Sequence, residues 1–297
     1  MPALTRRITR FTALACVALL ATGCAQGRAG TALPDGDQAA NYVTEKFRTK
    51  LEGLKGEFSG DKSRKARLES FARIGEKNAN TTLDSVQFGS PPSRFVQLRS
   101  NKDAGDFREF LHPAGDPLDY MHLGPVYSSL ASTPWVSREY TGGNLIECYW
   151  NGMIDACKLV ASVESSVKEG SGKAAKRAKS LPDGGVELVA DVPLRVFIKE
   201  RVVVFPESLA SKITEEQKGK TFPTTVVLNA DGGLVRVEMV GVIPGPSEVE
   251  VRIKYENLGP ATARDIPKKP DAAQITHLPD RAAVDEFHRK LGEITGG

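Results

Sequence analysis

The strongest constraint on this fold is a succession of short alternating apolar runs, each closed by turn residues. The first block holds Leu83-Asp-Ser-Val86-Gln-Phe88, Phe95-Val-Gln-Leu98, Phe107-Arg-Glu-Phe110-Leu and Asp119-Tyr-Met-His-Leu123, separated by Gly89-Ser-Pro-Pro92 and Pro113-Ala-Gly-Asp-Pro117. The second holds Val186-Glu-Leu-Val-Ala190, Leu194-Arg-Val-Phe-Ile198, Thr224-Thr-Val-Val-Leu228, Leu234 to Val240 and Val249 to Tyr255. Successive side chains of a strand point to opposite faces, so a two-residue period places one apolar face on a core. Such runs predict antiparallel strands covered on one side. Asn229-Ala-Asp-Gly-Gly233 supplies a hairpin turn between two of them.

Helical periodicity surrounds these blocks. Tyr42, Val43, Phe47, Leu51 and Leu54 share one face of a charged helix near 37–56, and Ala66, Leu68, Phe71 and Ile74 suggest a second over 62–80. Ile146, Tyr149, Trp150, Met153, Cys157, Val160 and Val163 mark a third over 145–167. The basic stretch 168–179 reads as a solvated helix or a flexible loop. Residues 202–218 read as a short helical insertion and 126–130 as a short helix or turn. Residues 282–294 form a last amphipathic patch. The fold class expected is α+β.

The N-terminus carries an export signal. Arg6, Arg7 and Arg10 precede an apolar stretch from Phe11 to Ala21, then Thr22-Gly23-Cys24. The stretch is too short to span a bilayer permanently. Small residues before Cys24 resemble a bacterial lipobox, whose cysteine is acylated after cleavage. Ala21-Thr22-Gly23 also suits an ordinary signal peptidase, so both processing routes remain open. Lipidation at Cys24 places the protein on the extracytoplasmic face of a cell membrane, with the membrane as its first partner. Of 40 basic and 37 acidic residues, three basic ones belong to this signal. The remainder balances at 37 against 37, which gives no electrostatic footprint for nucleic acid.

Cys16 leaves with the signal, so Cys148 and Cys157 remain as the thiols of an exported chain, where a bond is the default. On one straight helix they would stand roughly 13 Å apart along the axis, beyond disulfide reach. Asn151-Gly152 offers a turn that would fold two segments back on each other. A bond and a pair of buried thiols are both open, and no metal site is expected.

Motifs for catalysis do not assemble. There is no H-E-x-x-H and no G-x-S-x-G. Gly170-Ser-Gly-Lys173 fails as a phosphate loop, because Ala174 stands where Ser or Thr is needed. The histidines are scattered, and Asn80-Thr81-Thr82 matches a glycosylation acceptor by chance. No catalytic residue, metal or cofactor is expected. Incomplete contact between helix and sheet would instead leave an apolar pocket. Its candidate lining is Met121, Leu123, Val126, Tyr127, Leu130 and Trp135, with Trp150, Met153 and Val160 from the helix.

The order of these pieces resembles the LppX/LprG-type lipoproteins of actinobacterial envelopes, relatives of LolA-like carriers. The resemblance rests on Asp119-Tyr-Met-His-Leu with Thr133-Pro-Trp-Val-Ser, on Thr224 to Glu238, and on Val251 to Gly259 leading to Ile266 to Thr276. It implies a half-barrel of antiparallel strands curled over helices around a hydrophobic cavity, with lipid or lipoglycan as cargo. The expected organisation is a signal peptide at 1–23, a tether at 24–36, a charged helix at 37–60, the half-barrel at 61–276 and a helical tail at 277–297. The rival expectation is a lipid-tethered interaction module with a filled core. An enzyme with dispersed catalytic residues is a third.

Overall fold

The computed structural model describes residues 37–52, 54, 63–140, 154–170 and 173–295. Residues 1–39 and 40–297 form separate units, and the account below concerns the second. Among the described residues its centre is one sheet of twelve strands: β1 (Arg64–Ile74), β2 (Lys77–Phe88), β3 (Ser93–Ser100), β4 (Phe107–His112), β5 (Leu118–Leu123), β6 (Trp135–Glu139), β7 (Ala175–Ser180), β8 (Val186–Pro193), β9 (Thr221–Leu228), β10 (Leu234–Ile243), β11 (Val249–Gly259) and β12 (Ile275–His277). The spatial order is β12-β6-β5-β4-β3-β2-β1-β11-β10-β9-β8-β7. Every pairing is antiparallel except the short parallel contact of β12 with β6. Among the described residues the two end strands do not pair with each other, so the sheet is open.

Among the described residues six helices accompany it: α1 (Asp37–Glu52), α2 (Ile154–Glu169), α3 (Leu194–Lys199), α4 (Glu207–Ala210), α5 (Glu215–Gly219) and α6 (Arg281–Thr295). Alternation puts Ala66, Leu68, Val251, Ile253, Val237, Met239, Val226 and Leu188 on one inner face, all buried. Phe47, Leu51 and Leu54 of the α1 segment and Leu159, Val160 and Val163 of α2 pack into the same core. Tyr42, expected on that face, is 52% exposed.

Three local expectations are corrected. The helix expected at 62–80 is the β1–β2 hairpin. Ala66, Leu68, Ala72 and Ile74 are buried at even spacing, while Phe71 faces outward beneath the Arg252 guanidinium, 4.2 Å away. A strand paired on both sides overrides the helix-forming Arg, Lys and Glu of this stretch. The strand expected at 194–198 is α3. Its Leu194, Val196 and Phe197 are all fully buried, a spacing that helix satisfies once the chain leaves the sheet after Pro193. The basic stretch near 168–179 contributes β7, whose exposed Lys176 and Lys179 line the sheet's free edge and discourage further strand addition.

Residues 260–274 run from β11, beside β1, to β12, beyond β6. Lys65–Asp265 (3.5 Å) and Lys269–Asp116 (2.8 Å) pin them on the way. Past β12 the chain turns again, and α6 packs on the inner face.

Candidate functional site

The inner face carries two apolar regions. The large one joins β1–β3 and β8–β11 to α1, α2 and α3. The small one comprises Leu123, Tyr127 and Val136 with Phe287 and Leu291 of α6. Met121, Leu130, Ala131 and Leu278 flank it. The boundary falls between β4 and β5. Phe110 packs on the large region, and its cross-strand partner Met121 packs on the small one.

Tyr127 is placed by a 3-10 turn, Pro125–Tyr127, that begins at Gly124. A Cβ at Gly124 would lie 2.4 Å from the Gly105 carbonyl oxygen, so the close approach requires glycine. The Tyr127 hydroxyl donates to Asp106, and burial pushes its pKa up to about 12.

The rim is cationic. Arg108 lies directly across from Leu123 on β4, with its guanidinium 5.5 Å from the Tyr127 ring centre. Among the described residues it forms no ion pair. Arg138 of β6 meets Asp119 at 3.6 Å and His288 of α6 at 3.4 Å. Burial holds the His288 pKa below the usual histidine value, and Arg138 lowers it further.

A polar row crosses one end of the same face: Arg64, Gln87, Arg94 and His112 are successive cross-strand partners. His112 stacks on Tyr140 at 3.8 Å and approaches Asp119 at 3.2 Å. Arg64, Gln87 and Arg94 are nearly enclosed. Buried cations at a strand end keep this margin polar.

Of the predicted lining residues, Met121, Leu123, Tyr127 and Leu130 meet in the small region. Val126, beside them, is 38% exposed. Trp135 lies on the outer face, stacked on His122 at 4.7 Å, because its position alternates with Val136. His122 in turn meets Glu109 at 2.9 Å. Val160 belongs to the large core. Cys24, Cys148, Trp150 and Met153 lie outside the described residues, while Cys157 is buried on α2. Reasoning from sequence missed Val136, Arg108, Arg138 and the role of α6. The i, i+4 pair Phe287 and Leu291 was its available signal.

The outer face offers a different environment. An open groove of about 410 Å³ there is lined by Arg67, Glu69, Thr82, Arg99, Ser100 and Asn101. Arg67 and Arg99 both bind the Asp84 carboxylate, each at 2.6 Å. Charged walls of this kind do not suit an apolar ligand.

No family model and no curated protein matches the chain. Among solved structures it is similar to a LolA superfamily protein from Nitrosomonas europaea, at 9% identity and a TM-score of 0.26 over 74% of this chain and 97% of that one. It is also similar to a DUF1329 family protein from Desulfovibrio piger, at 9% identity and a TM-score of 0.21 over 77% and 98%. At this level of superposition the reading of the site rests on the chain's own residues.

Proposed function

We propose that this protein is an exported, lipid-anchored envelope protein that binds an apolar ligand on the inner face of its sheet, as carrier or chaperone. The observation that supports this best is the second apolar region. Four of the nine expected lining residues gather there, apart from the main core and beneath one helix. A ligand's acyl chain needs shape and apolarity from such a site. Burying each methylene contributes about 0.8 kcal/mol, which explains why no sequence motif marks it. In this reading the open sheet is the half-barrel of the LppX/LprG-type resemblance, Cys24 carries the anchor, and no reaction is catalysed.

The rival, an interaction module with a filled core, is favoured by one observation: α6 occupies the small region in this structure. Native mass spectrometry of the protein made without its signal and Cys24 separates the two. Co-purified lipid mass, removed by delipidation and restored by added lipid, is the expected result. A bare mass that takes up no lipid overturns the carrier reading.

A further inference from the structure

We infer that the inner face of β5 and β6 is a binding trough for one chain of an anionic amphiphile, and that α6 is its displaceable resident. This rests on the carrier reading above. The sheet, the 260–274 crossing and the main core are complete without α6. Phe287 and Leu291 are the buried residues of α6. The rest of the helix is its own support. The Asp280 carboxylate caps it through the Ala283 N–H at 2.9 Å. Arg281–Asp285, Arg289–Glu286 and Arg289–Glu293 then staple its surface at i, i+3 and i, i+4. Such a helix leaves the sheet as a unit, hinged at Pro279-Asp280. Upstream, the Leu278 N–H bonds the Ser137 carbonyl at 2.8 Å and holds β12 in place.

Once α6 leaves, Met121, Leu123, Tyr127, Val136 and Leu130 form an uncovered apolar strip. Arg108 stands at its flank without a carboxylate among the described residues, and Arg138 loses its contact with His288. A carboxylate or phosphate headgroup meets those two guanidiniums while its chain covers the strip. A resident helix reduces apparent affinity by the fraction of molecules in which the trough is open.

The test uses the exported-form chain without its anchor and a fluorescent long-chain fatty acid, compared with its methyl ester. A chain ending at Leu278 should bind the acid about tenfold or more tightly than the chain ending at Gly297. Arg108→Gln should weaken the acid and leave the ester unchanged. A folded truncation with unchanged affinity overturns the inference. If the truncation fails to fold, hydrogen exchange of the chain ending at Gly297 decides. Faster exchange at 281–295 with saturating acid supports displacement, and unchanged exchange overturns it. If neither chain binds acid or ester, the carrier reading itself fails. Equal binding by both chains, with α6 protected throughout, removes the α6 inference alone.

Discussion

Two leucine truncations measure whether the small apolar region is ordinary core. Leu188 on β8 is 0% exposed, between neighbours on both sides and helices above. Leu123 ends β5 at 6% exposure, beneath Phe287 and Leu291. Buried Leu→Ala changes cost about 2–5 kcal/mol, the spread set by how far the site can collapse. Around Leu188 the paired strands hold their places, so Leu188→Ala should cost about 3–4 kcal/mol, transfer and cavity together. Above Leu123 a helix fixed by two side chains can settle inward. The transfer contribution then dominates, and Leu123→Ala should cost about 2 kcal/mol. Urea unfolding reads both values from the midpoint at constant slope. Hydrogen exchange adds the location. Leu123→Ala should speed exchange in 281–295 and leave β8–β11 protected, whereas Leu188→Ala should lower protection throughout. Equal losses of about 3–4 kcal/mol, with α6 exchanging solely through global unfolding, would refute the claim that the two regions differ in kind.

Four further expectations are independent of that experiment. The folded pKa of His288 lies below its ordinary value of 6.5, so docking of α6 is at full strength above about pH 6.5 and weakens as pH falls below it. Exchange at 281–295 measured at pH 8 and pH 5 should show this, and His288→Gln should flatten the dependence. Arg201 sits at φ 54°, closing α3 through Arg201 N–H to Ile198 and Val202 N–H to Phe197. Arg201→Gly relieves the left-handed strain and should raise stability by about 0.5–1 kcal/mol in thermal unfolding. Cys24→Ala should move the protein from the membrane to the soluble exported fraction, while Cys148 and Cys157 should pair. That pairing closes a short loop worth about 2–3 kcal/mol. Persistent membrane association in high salt, or two alkylatable thiols in denatured unreduced protein, would contradict these last two in turn.

Period-two runs made much of the sheet legible, since β2–β5 and β8–β11 need a single apolar face and obvious turns. Where the sequence misled, a tertiary partner decided. In β1 the outward Phe71 broke the alternation and mimicked a helical step, and its cover, Arg252, lies some 180 positions away. Leu194-Arg-Val-Phe-Ile has strand composition, yet three of its side chains must reach one core after β8 ends. β7 has almost no apolar residues, and its strand identity comes from pairing with β8. In the candidate site, Met121 and Leu123 were legible because they alternate. Trp135 was misplaced by one residue of register, enough to send a side chain to the other face. Arg108 carries no local signature at all. Its relation to Leu123 exists once β4 and β5 are paired.

The crossing after β11 and the fastening of β12 explain how a weakly held helix can sit on a firmly held sheet. Burial alone would raise the Asp116 pKa, but the Lys269 ammonium, the Leu118 N–H and the Tyr120 hydroxyl together hold it below the usual carboxylate range. Lys269 also lies 5.1 Å from the Tyr120 ring centre, and Tyr120 is among the most buried side chains of the sheet. The crossing segment is therefore fixed where it passes the β4–β5 turn, before β12 begins. Thr133 and Thr276 hydroxyls, 2.7 Å apart, and the Ser137–His277 contact at 3.1 Å then fasten β12 to β6. None of these contacts involves α6. Strain from lifting the helix ends at Leu278, so the free energy of opening is set by Phe287, Leu291 and the His288–Arg138 contact rather than by the sheet. A ligand that supplies an apolar chain and an anion replaces those same three interactions.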